Sequence, residues 1–215
     1  ILAGFTAPKL RWVEKNEPEI FARISKVLLP KDFIRYRLTG EFYSEMSDAS
    51  GTSMLNVGER KWSEEILAAM GWPKAWLPEL TESTVASAKV SPDASELTGL
   101  AVDTPVIAGG GDQAAQAVGC GIVHEGMVSA TLGTSGVVFA QSDQYRVEPE
   151  GKLHAFCHAV PGKWHLMGVM LSAAGSFQWY KNQLGKEEQV REESGEGNAY
   201  DLLTQSATTV DPGCE

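Results

Sequence analysis

Three glycines followed by an acid, Gly109-Gly110-Gly111-Asp112, form the run in this chain best suited to chemistry. Without Cβ atoms, glycines let the backbone approach a ligand closely and aim N–H groups at it. The acid has two readings. It can be an N-cap, accepting a hydrogen bond from the helix it opens. It can also be a carboxylate aimed into a cleft at the carboxyl end of a strand, where open α/β sheets bind ligands. A carboxylate has several acceptor positions, so both can hold together. A second glycine turn, Gly133-Thr134-Ser135-Gly136, reads equally as a hairpin turn or as a phosphate cradle. In the cradle, the N–H groups of Thr134, Ser135 and Gly136 and the Thr134 hydroxyl would meet phosphoryl oxygens.

Other chemistries fit less well. Gly109-x-Gly111-x-x-Ala114 matches a short dinucleotide-binding fingerprint, the main rival of a different class, and would make this an oxidoreductase domain. That fingerprint expects an acid about 20 residues on to hold a ribose. Here that distance lands in Thr131 to Gly136, which contains no acid. There is no G-x-x-x-x-G-K-[ST] run and no H-R-D catalytic loop. His154, Cys157, His158 and His165 lack zinc-ligand spacing and read as structural. The six tryptophans read as packing residues rather than a platform for bases.

The elements that must position these residues change period along the chain. The first hundred residues read mainly as helices. One runs from Pro8 to Asn16, one from Lys31 to Leu38 closed by Gly40, and one opens at Ser63 and ends at Gly71. Pro73, Pro78 and Pro92 punctuate a loop-rich stretch, and a domain change is placed near Val102 to Pro105. After it, Pro105 to Ala108 is a short strand feeding the glycines, and Asp112 to Val118 is an Ala-rich helix. Met127 to Leu132 and Val137 to Ala140 read as strands on either side of the second glycine turn. Ala155 to Val160 and Trp164 to Val169 form another hairpin. Met170 to Leu184 reads as a helix, Glu187 to Gly197 as a solvated loop, and Tyr200 to Thr208 as a final helix.

The chain has 215 residues, 43% of them hydrophobic, enough for one large domain or parts of two. A formal net charge of −10 repels phosphate backbones and anionic lipid, so nucleic acid and membranes are poor partners. Three widely spaced cysteines, Cys120, Cys157 and Cys214, fit a reducing cytoplasm rather than a disulfide framework. No apolar run reaches the length of a membrane helix, and no signal peptide is recognisable. The chain starts at Ile1 and stops at Glu215, and both ends read as cut from something longer.

Five segments resemble, in order and approximate spacing, those of the FGGY carbohydrate kinases. Gly4 to Asn16 is similar to the first family signature, and Glu45 to Thr52 to the segment near the sugar site. Gly109 to Gln113 resembles the catalytic-Asp motif, Leu132 to Gly136 the second phosphate-binding turn, and Ala173 to Trp179 the helix start beside the nucleotide. Within the family, Gly4 to Leu10 and Leu29-Pro30-Lys31-Asp32 are worded most like xylulokinases. The resemblance implies part of an α/β, actin/hsp70/hexokinase-like (ribonuclease H-like) two-domain ATPase fold. Residues 1–103 would be the last part of the sugar-binding domain and residues 104–215 the first part of the nucleotide-binding domain. It implies ATP with Mg²⁺, a cytoplasmic enzyme, a homodimer as one oligomeric state to consider, and D-xylulose as substrate ahead of ribulose, gluconate or glycerol. Asp112 would be the catalytic base, touching the sugar together with Gln113. Gly133, Thr134, Ser135 and Gly136 would hold phosphate, and Ala174, Gly175 and Gln178 would border the nucleotide; no metal ligand is assigned. Met46 stands where some relatives carry a substrate-contacting tyrosine, and a thioether cannot donate that hydrogen bond, so the role is not carried over. The family's N-terminal Asp-x-Gly-Thr loop, most of its sugar contacts and its adenosine site are not in this sequence. The polypeptide alone is therefore expected to be inactive.

Overall fold

The computed structural model describes residues 3–211 and 213. The chain divides into two compact units: Ile1–Ser129 with Phe139–Gly168, and Ala130–Val138 with Val169–Glu215.

The first unit opens with α1 (Thr6–Asn16) and the single turn α2 (Pro18–Phe21). Helix α3 (Pro30–Thr39) starts with Pro30 in its first turn, where the missing N–H costs nothing, and stops at Gly40 with φ 78°. Next come β1 (Tyr43–Glu45), the one-turn helix α4 (Met46–Ala49) and a 3₁₀ turn, Ser50–Thr52. β2 (Leu55–Asn56) and β3 (Lys61–Trp62) make a small hairpin ladder. Helix α5 (Glu64–Met70) is capped by the Ser63 hydroxyl, which accepts from the Ile66 N–H, and ends at left-handed Gly71. Then follow β4 (Glu79–Thr81), β5 (Ala86–Lys89), α6 (Pro92–Thr98), β6 (Pro105–Ile107) and α7 (Asp112–Gly119).

Four further strands are β7 (Val128–Leu132), β8 (Gly136–Ser142), β9 (His154–Cys157) and β10 (Trp164–Met170), paired in the order β7-β8-β10-β9. Three helices close the chain: α8 (Ala174–Gln183), α9 (Lys186–Glu193) and α10 (Ala199–Ala207).

The core of the first unit gathers Leu10 of α1, Met46 and Ala49 of α4, Leu55, Trp62, Leu67, Trp72 and Cys157. Burying this apolar set is the main force fixing α4 among its neighbours. Trp62 and Trp72 are core residues, whereas Trp12 and Trp179 are exposed. Cys120 and Cys157 carry free thiols, and Cys214 lies outside the described residues.

Three local expectations are corrected, and the mainly helical reading of the first hundred residues is completed by short strands. The early segment holds strands as well as helices: β1 pairs in parallel with β4, and β5 pairs antiparallel with β6. Strands of three or four residues are too short to carry a readable alternation. Pro92 opens α6 behind the Ser91 cap rather than marking a loop. Met170 ends β10, and the helix expected from there starts four residues later, at Ala174. The charged stretch after Gly185 forms α9, with Glu187 and Glu188 in its first turn and Arg191 in its last, the arrangement that complements the helix dipole. Its glycines act only beyond that helix, where Gly195 and Gly197 take positive φ.

Candidate active site

The glycine run crosses from β6 to α7 and is tied down along its length. Ala108 N–H donates to Val85 O at 3.1 Å, and Gly109 N–H to Ser83 O at 3.1 Å. Lys31 Nζ donates to Ala108 O at 3.2 Å. Gly109 needs glycine twice over: its φ is +83°, and a Cβ there would sit 3.2 Å from the Lys31 side chain. Gly111 N–H donates to Ser47 Oγ at 2.9 Å. Gly111 occupies the cap position of α7 and Asp112 the first helical position. The cap reading of Asp112 is therefore off by one residue, although its Oδ1 does accept from the Gln113 N–H at 2.8 Å. The rest of its acceptor capacity is free for another donor.

Asp112 and Gln113 line a pocket of about 210 Å³ with Ser47 and Asp48. Phe5, Phe156, His165 and Met167 supply its less polar wall. Ser47 and Asp48 are both bonded to Glu45, which is wholly buried. Its Oε2 accepts from Ser47 N–H at 2.7 Å, Ser47 Oγ at 2.8 Å and Ser83 Oγ at 2.7 Å. Its Oε1 accepts from Asp48 N–H at 2.7 Å. Lys31 Nζ lies 2.7 Å from Asp32, 3.7 Å from Glu45 and 3.9 Å from Asp48, one cation among three carboxylates. Burial pushes the Asp48 carboxyl up to about 6; Lys31 pulls it back, while Glu45, Asp32 and Asp112 push the same way as burial.

The histidines divide by their hydrogen bonds. His158 accepts from Val160 N–H at its Nδ1, which leaves Nε2 to donate to Ile122 O at 3.1 Å. Burial lowers its proton affinity, so this neutral tautomer is the ordinary one. His165 stacks on Phe139 with centroids 4.1 Å apart, and burial pushes it down to about 3. Neither of its ring nitrogens has a partner among the described residues. It lines the same pocket as Asp112, with both ring nitrogens buried.

In the second unit, the second glycine turn and the start of α8 are locked together. Ala173 N–H and Gly175 N–H both donate to Thr134 O, at 2.7 and 3.1 Å, and Ala174 N–H donates to Gly133 O at 3.0 Å. A Cβ on Gly175 would lie 3.1 Å from Thr134 O, so only glycine fits without displacement. A Cβ on Gly136 would lie 3.2 Å from the Ala173 Cβ. The Gly133 and Thr134 carbonyls are thus spent on the helix start. Gly133 N–H donates to Ser135 O at 2.9 Å, while the Thr134 and Ser135 N–H groups have no acceptor among the described residues. Gln178 stands one helical turn beyond Ala174 on α8 and is exposed.

Each unit therefore brings its own expected residues together: Asp112 with Gln113, and Gly133 to Gly136 with Ala174 and Gly175. The sequence reading gave no individual role to Lys31, Glu45, Ser47 or Asp48, and read His165 as structural. The segment from Glu45 to Thr52 carried a signal, an acid followed by Ser-Asp at a strand-to-helix turn, but nothing in it said which glycine run it would meet.

The antiparallel β5–β6 pair feeds a glycine corner, an acid opens the next helix, and a helix start clasps the second glycine turn; the fold is that of the actin/hsp70/hexokinase group. Residues 1–119 match the model of the FGGY family of carbohydrate kinases, N-terminal domain. The chain belongs to the FGGY family of carbohydrate kinases. It is 50% identical over 179 residues to a xylulose kinase of Escherichia coli, covering 83% of this chain and 37% of that protein. A xylulose kinase of Lactococcus lactis is 42% identical over 214 residues, covering 100% of this chain and 40% of its own length. The crystal structure of xylulose kinase from Rhodospirillum rubrum superposes with a TM-score of 0.84 at 26% identity, over 99% of this chain and 42% of that one. The chain thus spans about two fifths of the length of these relatives. No helix among the described residues is long and apolar enough to cross a membrane.

Proposed function

We propose that this chain is the central part of an ATP-dependent kinase that phosphorylates a sugar hydroxyl, with D-xylulose as substrate and D-xylulose 5-phosphate as product. The observation that carries the reading is the state of Asp112: a carboxylate at a pocket wall, anchored by one backbone N–H and otherwise open to a donor. In the reaction, Asp112 accepts the proton of the sugar hydroxyl as its oxygen attacks the γ-phosphorus of ATP, the bond from that phosphorus to the β–γ bridging oxygen breaks, and ADP leaves. Gln113 donates or accepts at a neighbouring hydroxyl. Phosphoryl transfer asks little covalent work of a protein, so positioning and charge stabilisation supply most of the acceleration. A general base contributes roughly 10²–10⁴-fold.

The free N–H groups of Thr134 and Ser135 and the Thr134 hydroxyl suit the β- and γ-phosphate oxygens, with Gly133 and Gly136 giving them access. Ala174, Gly175 and Gln178 border the nucleotide. Mg²⁺ neutralises phosphate charge when bound. It would be held largely through substrate phosphates, waters and one or two carboxylates, since the described residues contain no group of three or more His, Cys, Asp or Glu side chains able to hold it. The same reading carries a cytoplasmic enzyme and a division into sugar-binding (1–103) and nucleotide-binding (104–215) parts. The β5–β6 ladder crosses that division.

The experiment is Asp112→Ala in the full-length enzyme, assayed by ADP release against a panel of pentuloses, gluconate and glycerol. Loss of kcat by at least about 10²-fold with the fold intact is expected, and D-xylulose should have the highest kcat/KM. Retention of most of kcat removes the base. A different preferred sugar corrects the substrate.

A further inference from the structure

We propose that Ser47 is a positioning residue for the Asp112 base, acting through the Gly111 N–H, with Lys31 holding the other end of the same glycine run. The inference rests on the assignment of Asp112 as base. Three consecutive glycines have the most backbone freedom to lose on folding, so they do not hold the next residue still by themselves. The restraint must come from outside the run.

Two of the observed bonds, Ala108 N–H to Val85 O and Gly109 N–H to Ser83 O, fix only its entry from β6. Ser47 Oγ is the anchor beside the acid, accepting from Gly111 N–H at 2.9 Å. The Ser47 hydroxyl can serve there because its own proton is committed to Glu45, at 2.8 Å from Oε2. That leaves an oxygen lone pair for Gly111. Glu45 is held in turn by the N–H groups of Ser47 and Asp48 and by the Ser83 hydroxyl, so the anchor is buried and has little freedom to rotate. Contact closes the gap as well. A Cβ on Gly110 would lie 3.4 Å from Ala159 Cβ and 3.5 Å from Ser47 Oγ, and one on Gly111 would lie 3.4 Å from Asp48 Cα. Lys31 completes the clamp from α3, joining Ala108 O at 3.2 Å to Asp32 at 2.7 Å.

The sequence order hides this device. Sixty-four positions separate Ser47 from Gly111, and seventy-seven separate Lys31 from Ala108. The chemistry explains why such a clamp is worth having. A base misplaced by about 1 Å can lose on the order of 10²-fold in rate.

The test is a cycle in the full-length enzyme with Ser47→Ala, Asp112→Asn and the double variant, each checked for a wild-type circular dichroism spectrum. Ser47→Ala is expected to lower kcat about 10- to 100-fold while leaving KM for ATP within about twofold, because its effect is on the position of the base. In the Asp112→Asn background the same change is expected to cost less than about twofold, since residues acting as one unit are not additive. A purely structural role for Ser47 would instead lower kcat equally in both backgrounds, and that result overturns the proposal. An unchanged kcat in Ser47→Ala beside an inactive Asp112→Ala overturns the positioning alone. An active Asp112→Ala removes the base and the positioning with it. If Ser47→Ala does not fold, Lys31→Met decides in the same cycle. It loosens the run at Ala108 while leaving Glu45 its four protein donors, and the same non-additivity is expected at smaller size.

Discussion

Replacing Asp48 by Asn keeps the size and shape of the side chain and removes only its ability to ionise. In the folded protein the Asp48 carboxyl is raised from 3.8 to about 6, mainly by burial. A folded carboxyl that holds its proton more tightly than the unfolded one opposes folding once the solution is basic enough to remove that proton. The full shift corresponds to about 3 kcal/mol at roughly 1.4 kcal/mol for each tenfold change in proton affinity. The side chain is 31% exposed, and solvent screening reduces the figure to about 1–2 kcal/mol. The sign follows directly. Below about pH 4 both folded and unfolded Asp48 are protonated, so Asp and Asn should be equally stable. Between about pH 4 and 6 the Asp protein loses stability relative to Asn, and above about pH 6 the difference levels off in favour of Asn. Thermal unfolding of the ligand-free full-length enzyme and of Asp48→Asn, from pH 4.5 to pH 8, reads this as a few degrees in Tm at the high-pH end. A difference of the same size at every pH, or Asn becoming the less stable protein as pH rises, would refute the burial of Asp48 as the governing effect.

Glu45→Gln should lower Tm by roughly 10 °C, from a loss of about 3–4 kcal/mol. Both carboxylate oxygens accept backbone N–H groups, and an amide has only one oxygen, so either orientation sets an NH₂ against a buried donor; a fall of under 3 °C would contradict this account. Thr134→Val should raise KM for ATP about tenfold and leave KM for the sugar within about twofold, since it removes a hydroxyl from the phosphate cradle and keeps the volume. Equal changes in both constants would move that turn away from the phosphates.

Much of this protein was legible one segment at a time. Gly40 and Gly71 mark helix ends because only glycine takes a left-handed conformation cheaply. The Ser63 cap followed by Glu64 and Glu65 marks a helix start by hydrogen bonding and dipole alone. Asp112 at the end of a glycine run and the Gly133 to Gly136 turn stood out for the same reason: glycine clusters and the acid after them are local chemistry. What failed were calculations that need partners. The three-residue strands β1 and β4 exist because they pair with each other, and α9 stands as a helix although its charges and glycines read as a solvated loop.

What the sequence determined was therefore the family, and within it the carboxylate proposed as base, Asp112, and the turn proposed to hold phosphate, Gly133 to Gly136. What the tertiary structure decided was how that carboxylate is held. Ser47 and Lys31 come to the glycine run from segments more than sixty residues away, because β1 pairs with β4 and the core closes over α4. A hydrogen bond at 2.9 Å leaves no trace in linear spacing when its two ends are brought together by packing.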